Sequence, residues 1–169
     1  MGSATTQALA ASTQALAAVT ASVDIDTARE LFAAGDAIGN SRQLAAVLAD
    51  PAVEASAKSK LVGSAFGTSV SATTLGLLTT VAAQRWSSPS DLLAGIEELG
   101  LRAASLSSLR SGADVEGELF QFARTVTDNP ELELTLGARI GSNAAKGKLI
   151  DTLLGGRASV ETTLIISSL

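Results

Sequence analysis

The chain has 169 residues, of which 46% are hydrophobic and 3% aromatic, so a sizeable core must consist of small and aliphatic side chains. The net charge is −5 and no Lys or Arg run occurs, which disfavours nucleic-acid binding. The absence of Cys and His argues against disulfides, transition-metal sites and Ser–His–Asp catalysis. The sequence also contains no uninterrupted stretch of about 18 apolar residues, the length needed to cross a membrane.

Abundant Ala and Leu favour helices over strands, and the first predicted helix covers residues 4 to 20. Two stripes recur along it at helical spacing. One stripe consists of Leu9, Ser12, Leu16 and Val19, and the other of Ala8, Ala11, Ala15 and Ala18. The alanine stripe would let a neighbouring helix approach closely.

Three more helices are predicted between residues 24 and 67. Asp24 or Asp26 can cap the second, which ends at Gly39-Asn40. The third ends at Asp50-Pro51, because proline restricts the residue before it. Gly67 follows the fourth helix, where we expect a positive φ.

The fifth predicted helix, residues 69 to 85, is apolar around most of its circumference. One stripe contains Leu75, Leu78, Ala82 and Trp86, and another Val70, Thr74, Leu77 and Val81. Such a helix either is central in a bundle or presents one face to a partner. A lone Trp either closes a core or anchors a partner, and we favour the core for Trp86 because it extends the first stripe.

A long sixth helix is predicted to begin at Ser88, its cap, with Pro89 at the first helical position. It runs to about Leu109, and the following residues, 110–113, resemble a hinge. We therefore predict a bundle of six helices over residues 1–110.

Residues 111–169 are predicted to form a partial repeat of helices two to five, a copy of roughly residues 27–78. The segment beginning Glu118-Leu119-Phe120 repeats the one beginning Glu30-Leu31-Phe32 at an offset of 88, without a gap as far as Gly67 and Gly155. After one inserted residue, Thr73-Thr74-Leu75 recurs as Thr162-Thr163-Leu164. Because this copy lacks a sixth helix, we expect exposed apolar surface near 164–166.

Signals for catalysis or cofactor binding are weak. Residues 141–148 resemble a phosphate-binding loop, but the glycine spacing is wrong, Leu149 replaces the hydroxyl, and the first copy has a plain helix start there. Glu97 and Glu98 point apart on their helix, and Lys58 with Lys60 is more typical of a solvated face than of a Schiff-base site. We expect no cofactor and no enzyme activity.

Two segments resemble the delta subunits of F-type ATP synthases, of the actinobacterial type. They are residues 83–97, which join the fifth and sixth helices around Arg85-Trp86, and residues 48–67, from Leu48-Ala-Asp50-Pro51 to Phe66-Gly67. The family also carries the repeated segment found at 114–169. The resemblance covers nearly the whole chain, and the family continues beyond it.

The resemblance implies a non-catalytic stator subunit, peripheral on the cytoplasmic face of the cell membrane. It would link the catalytic head to the peripheral stalk in ATP synthesis coupled to proton transport. N-terminal helices of alpha subunits would lie in a groove between the first and fifth helices. The groove residues would be Ala8, Ala11, Ala15, Ala18, Val70, Thr74, Leu77 and Val81.

The b subunit would bind mainly through the part of the family that lies beyond this chain. The alternative is a helical scaffold or adaptor protein unrelated to ATP synthase.

Overall fold

A computed structural model describes residues 2–137, 143–154 and 156–168, with the backbone alone for residues 143–146. All regular elements in these ranges are helices, which confirms the predicted all-α class. The chain divides into two compact units, unit 1 over residues 1–106 and unit 2 over residues 107–169.

Unit 1 contains the first six α-helices and one short 3-10 helix. In chain order they are α1 (Ser3–Ala18), the 3-10 helix (Thr20–Ser22), α2 (Ile25–Gly39), α3 (Arg42–Ala49), α4 (Ala55–Phe66), α5 (Ala72–Ala83) and α6 (Pro89–Ser111). The last turn of α6 belongs to unit 2.

Side-chain caps fix several of these helix starts. Asp24 forms a capping box with Thr27, and the Ser41 and Ser71 hydroxyls accept the amides of the third helical residue in α3 and α5. Ser88 accepts the amide of Asp91, as the sequence predicts for α6. The positive φ predicted at Gly67 is wrong, since its φ is −57° and its amide continues the helical pattern to the Gly63 carbonyl.

The core of unit 1 lies where α2, α5 and α6 bury aliphatic side chains. Its largest fully buried residues include Leu31, Ile38, Leu92, Ile96 and Leu99. The predicted core position of Trp86 is confirmed, because only 4% of it is exposed and its indole N–H donates to the Val81 carbonyl at 2.8 Å. Close packing of this kind makes the interior sensitive to added volume.

Unit 2 contains α7 (Val115–Thr127), α8 (Pro130–Gly137), α9 (Asn143–Leu154) and α10 (Val160–Ser168). Helix α6 continues into the first two residues of the predicted hinge and ends at Ser111. Gly112 then has a φ of +73°, which glycine adopts without a steric penalty.

The helix bounds of the two units repeat at an offset of 88 residues. Helices α3 and α8 correspond residue for residue, as do α4 and α9, and α10 begins 88 residues after α5. Thr162 is fully buried like Thr74, 88 positions earlier. The inserted residue expected before Thr162 is therefore wrong, and the repeat continues without a gap into α10.

Few side chains form the core of unit 2. Among its described residues the buried ones are Ser107, Ser108, Ile150, Glu161, Thr162, Ile165 and Ile166. The expected exposure near residues 164–166 is thus corrected, because the isoleucines of α10 turn inward. Large apolar side chains of unit 2 are exposed elsewhere. They include Leu109, Phe120 on α7 (71%), Leu134 on α8 (74%) and Val160, the first residue of α10.

The described part of the chain contains neither a membrane-spanning helix nor a cluster of metal ligands. No helix there is long and apolar enough to cross a membrane. No group of three or more metal-ligating side chains occurs in the same ranges. Of the loop-like segment 141–148, residues 141 and 142 lie outside the described residues and the rest begins α9, while Gly155 also lies outside them.

Candidate partner-binding site

Helix α1 packs against α5, and hydrogen bonds hold its first turn to the segment that follows α5. The Thr5 hydroxyl donates to the Ser87 hydroxyl at 2.9 Å, and the Ser87 amide donates back to Thr5 Oγ1 at 3.3 Å. The buried Ser12 hydroxyl is satisfied within α1 by the Ala8 carbonyl. The two buried polar side chains of α1, Thr5 and Ser12, are therefore both hydrogen-bonded.

The eight predicted groove residues divide between the interior and the surface of unit 1. Ala8, Thr74, Leu77 and Val81 are buried, so in the folded chain they hold α1 and α5 in the bundle. The accessible residues are Ala11, Ala15 and Val70, which are half-buried, and Ala18, which is exposed. Val70 precedes α5 rather than lying within it.

The outer faces of this helix pair carry no charge. Neither α1 nor α5 contains a single Asp, Glu, Lys or Arg, although 17% of the chain is charged. The exposed positions are Ser3, Thr6, Gln7, Ala10, Gln14, Ala17 and Ala18 on α1 and Ala72, Gly76 and Ala83 on α5. Small uncharged side chains allow another helix to approach without desolvating ions.

The carboxylate of Glu30 on α2 caps the first turn of α5. It accepts the Ser71 amide at 3.0 Å, the Ser71 hydroxyl at 2.7 Å and the hydroxyl of the fully buried Thr74. A negative group at a helix N-terminus is favourable, because the free amides and the helix dipole point toward it. Glu30 thereby fixes α5 relative to α2.

Opposing effects act on the pKa of Glu30. Burial raises the pKa, whereas hydrogen bonds from Thr74 and Ser71 lower it, and the net result is a pKa below the ordinary value of 4.5. The carboxylate is consequently ionised at neutral pH and remains the acceptor at the start of α5.

The same arrangement recurs in unit 2, 88 residues later. Glu118 on α7 accepts the Ser159 amide at 2.9 Å and the Ser159 hydroxyl at 2.6 Å, and hydrogen bonds from Ser159 and Thr162 lower its pKa. This Glu–Ser–Thr cap is not apparent when the two copies are aligned with a gap before Thr162, as the sequence repeat suggested. An ungapped alignment pairs Ser71 with Ser159 and would have revealed it.

Lys58 is buried, so the prediction that it lies on a solvated face is wrong. Only 2% of it is exposed, while Lys60 is exposed. Burial lowers the pKa of Lys58, and the nearby charge of Asp50 opposes that shift. Its four-carbon stem fills space in unit 1, so the two lysines do not form a pair.

Comparison with known proteins finds relatives over the whole chain. The ATP synthase subunit delta of Leifsonia xyli subsp. xyli is 43% identical over 169 residues, which are 100% of this chain and 64% of that protein. The ATP synthase subunit delta of Streptomyces avermitilis is 37% identical over 98% of this chain and 63% of its own length.

A third relative, the ATP synthase subunit delta of Nocardia farcinica, is 40% identical over 83% of this chain and 53% of its own length. No model of a protein family matches the chain. The chain therefore spans about half to two thirds of the length of these relatives.

Proposed function

We propose, from the premise that this chain belongs to the family of ATP synthase delta subunits, that it is a non-catalytic stator subunit of an F-type ATP synthase. It would connect the catalytic head to the peripheral stalk and hold the head against the torque of the rotor. The task requires tight binding and stiffness rather than a reacting group. The complex would place the chain peripherally, on the cytoplasmic face of the cell membrane.

The observation that carries the proposed binding site is that the accessible alanines of the predicted groove, Ala11, Ala15 and Ala18, belong to or border a helix without any charged residue. An amphipathic helix from the N-terminus of an alpha subunit could bury its apolar side against these small side chains. The accessible contacts would be Ala11, Ala15, Ala18 and Val70. Ala8, Thr74, Leu77 and Val81 would act beneath them by fixing the spacing of the two helices.

Contacts with the b subunit are proposed to come mainly from the part of delta subunits that this chain does not span. The chain alone should then bind alpha-subunit peptides but bind b only weakly.

A peptide from an alpha-subunit N-terminus tests the proposed site. We expect it to bind the chain and to gain helical circular dichroism on binding. The Ala15→Asp variant should weaken binding at least tenfold, because it places a charge among apolar contacts at the proposed site. The affinity can be measured by isothermal titration calorimetry.

Ala10→Asp is the matched control. Ala10 is exposed on the same helix, about 140° around the axis from Ala15, and the substitution has the same cost in helix propensity. Equal affinities of the two variants would contradict the proposed site. An affinity purification that recovers no ATP synthase subunit would favour the adaptor alternative.

A further inference from the structure

Helices α2 and α7 are equivalent in the repeat, but one face of α2 is buried in unit 1 while the same face of α7 is accessible in unit 2. Leu31, Ala34 and Ile38 on α2 are buried. The residues 88 positions later, Leu119, Phe122 and Val126, are only half-buried, and α7 contains no buried residue at all. Because α3 to α5 and α8 to α10 share the same spacing along the chain, the difference indicates a missing neighbour in unit 2.

The covering element in unit 1 is α6. A side-chain carbon placed on Gly100 would lie 2.8 Å from the Phe32 ring, and one placed on Gly35 would lie 3.5 Å from Ile96 Cγ2. Helix α6 thus runs close along α2, with Gly100 making room for Phe32. The counterparts of Phe32 and Gly35 are Phe120, which is 71% exposed, and Ala123, which is also exposed.

We propose that one further amphipathic α-helix covers the open face of unit 2, packing on α7 as α6 packs on α2, and that the same polypeptide supplies it after α10. We define the open face as Leu119, Phe120, Phe122, Ala123 and Val126. The proposal rests on the repeat and does not depend on the proposed function.

A continuation of the same polypeptide suits the geometry. In unit 1 only residues 84–88 separate α5 from α6, so the covering helix follows directly along the chain. More than a third of the relative from Leifsonia xyli lies outside the matched region, and a helix such as α6 needs only 23 residues. Linking the helix to α10 also avoids the entropy cost of associating a separate partner.

The open face specifies the character of its occupant. It presents two phenylalanines and two branched aliphatic side chains without a charge, so the covering helix needs an aliphatic stripe like that of Leu92, Ile96 and Leu99. A small residue should face Phe120, as Gly100 faces Phe32. The helix is expected to stabilise unit 2 by removing apolar surface from water.

The direct test appends to the chain a copy of α6, the helix that already packs on α2 in unit 1. A copy of residues 82–111, appended after Leu169, preserves the offset of 88. The native chain has no cysteine, so Ala123→Cys provides one thiol for a maleimide reagent. We expect fast labelling in the 169-residue chain and labelling at least tenfold slower in the extended chain.

Leu134→Cys is the matched control, because Leu134 is 74% exposed and its unit 1 counterpart, Ala46, is exposed as well. Its labelling should be equally fast in both chains. A second extension carries L92Q, I96Q and L99Q in the appended copy alone, which removes its aliphatic stripe. With this extension, the maleimide should label Ala123→Cys as fast as in the 169-residue chain. Equal labelling of Ala123→Cys with the native and altered extensions would overturn the proposed packing.

Two further measurements test the source of the helix. In the delta subunit of Leifsonia xyli, amide exchange in the segment aligned with α7 should be slower in the whole protein than after truncation at the position aligned with Leu169. Equal exchange would overturn supply by the same polypeptide. Labelling of Ala123→Cys in the 169-residue chain that slows as protein concentration rises would also overturn it, in favour of a second copy.

Discussion

Gly95 packs directly against the Trp86 ring, and only a residue without a side-chain carbon fits there. A side-chain carbon there would lie 2.2 Å from Cη2 of Trp86, whose ring is fixed by the bond from its N–H to the Val81 carbonyl. Gly95→Ala should therefore displace the indole and destabilise unit 1 by about 1–3 kcal/mol. Urea unfolding followed by circular dichroism measures the change.

Gly63→Ala is the control for this prediction. Gly63 lies in the interior of α4, and an added side-chain carbon meets nothing within 4 Å. Alanine is the better helix former, so this variant should be stabilised by about 0.5–1 kcal/mol. The prediction for Gly95 fails if both substitutions change the free energy of unfolding in the same direction.

Glu30 should make unit 1 sensitive to acid through its cap on α5. Its pKa is lowered in the folded chain, so its contribution is present above the ordinary value of 4.5 and disappears as pH falls through the folded pKa. Glu30→Gln should cost about 0.5–1 kcal/mol at pH 7, a modest figure because the site is partly solvated. The difference between the unfolding free energies of the two proteins should therefore shrink progressively as the pH falls below 4.5.

Glu54→Gln provides the comparison for Glu30→Gln. Glu54 precedes α4 and makes no side-chain capping bond, so its replacement should change stability by less than about 0.5 kcal/mol. A Glu30→Gln effect that stays constant between pH 7 and pH 3 would show that the charge of the carboxylate is irrelevant to the cap.

At the scale of elements, equivalent helices differ in how well their backbone amides are protected. Helix α2 buries six residues, whereas α7, its counterpart in the repeat, buries none. Opening of a helix with few buried contacts costs less free energy. Amide exchange measured by mass spectrometry should therefore be at least tenfold faster in α7 than in α2, and equal protection would contradict this difference in packing.

The sequence periodicity predicted where the helices lie along the chain more reliably than which side of each helix is buried. The caps at Asp24 and Ser88 specify the starts of α2 and α6 through contacts within four residues, so the sequence alone could predict them. The orientation of α5 depends on which sides α1, α4 and α2 occupy. Thr74, Leu77 and Val81 are equally compatible with a core or with a partner until those neighbours are placed.

For the whole molecule, the two units should unfold at different denaturant concentrations. Unit 1 buries aliphatic residues from all six of its helices, while the described core of unit 2 contains three isoleucines. A smaller buried apolar area gives a lower free energy of unfolding. Trp86 fluorescence reports on unit 1 alone, so circular dichroism should show an earlier transition that the fluorescence does not follow.

A coincident transition by both signals would contradict independent unfolding of the units. Adding the copy of residues 82–111 should bring the two transitions closer together, because it enlarges the core of unit 2 alone.

The sequence by itself determined four features: the all-α class, the helix order, the 88-residue repeat and the core position of Trp86. These features depend on helix propensity, capping and periodicity, which act over a few residues, or on direct internal identity. The tertiary structure decided the burial of Lys58, the contact between Glu30 and Ser71, and the open face of α7. Each depends on which helices become neighbours, and helix propensity, capping and periodicity do not specify which distant segments pack together.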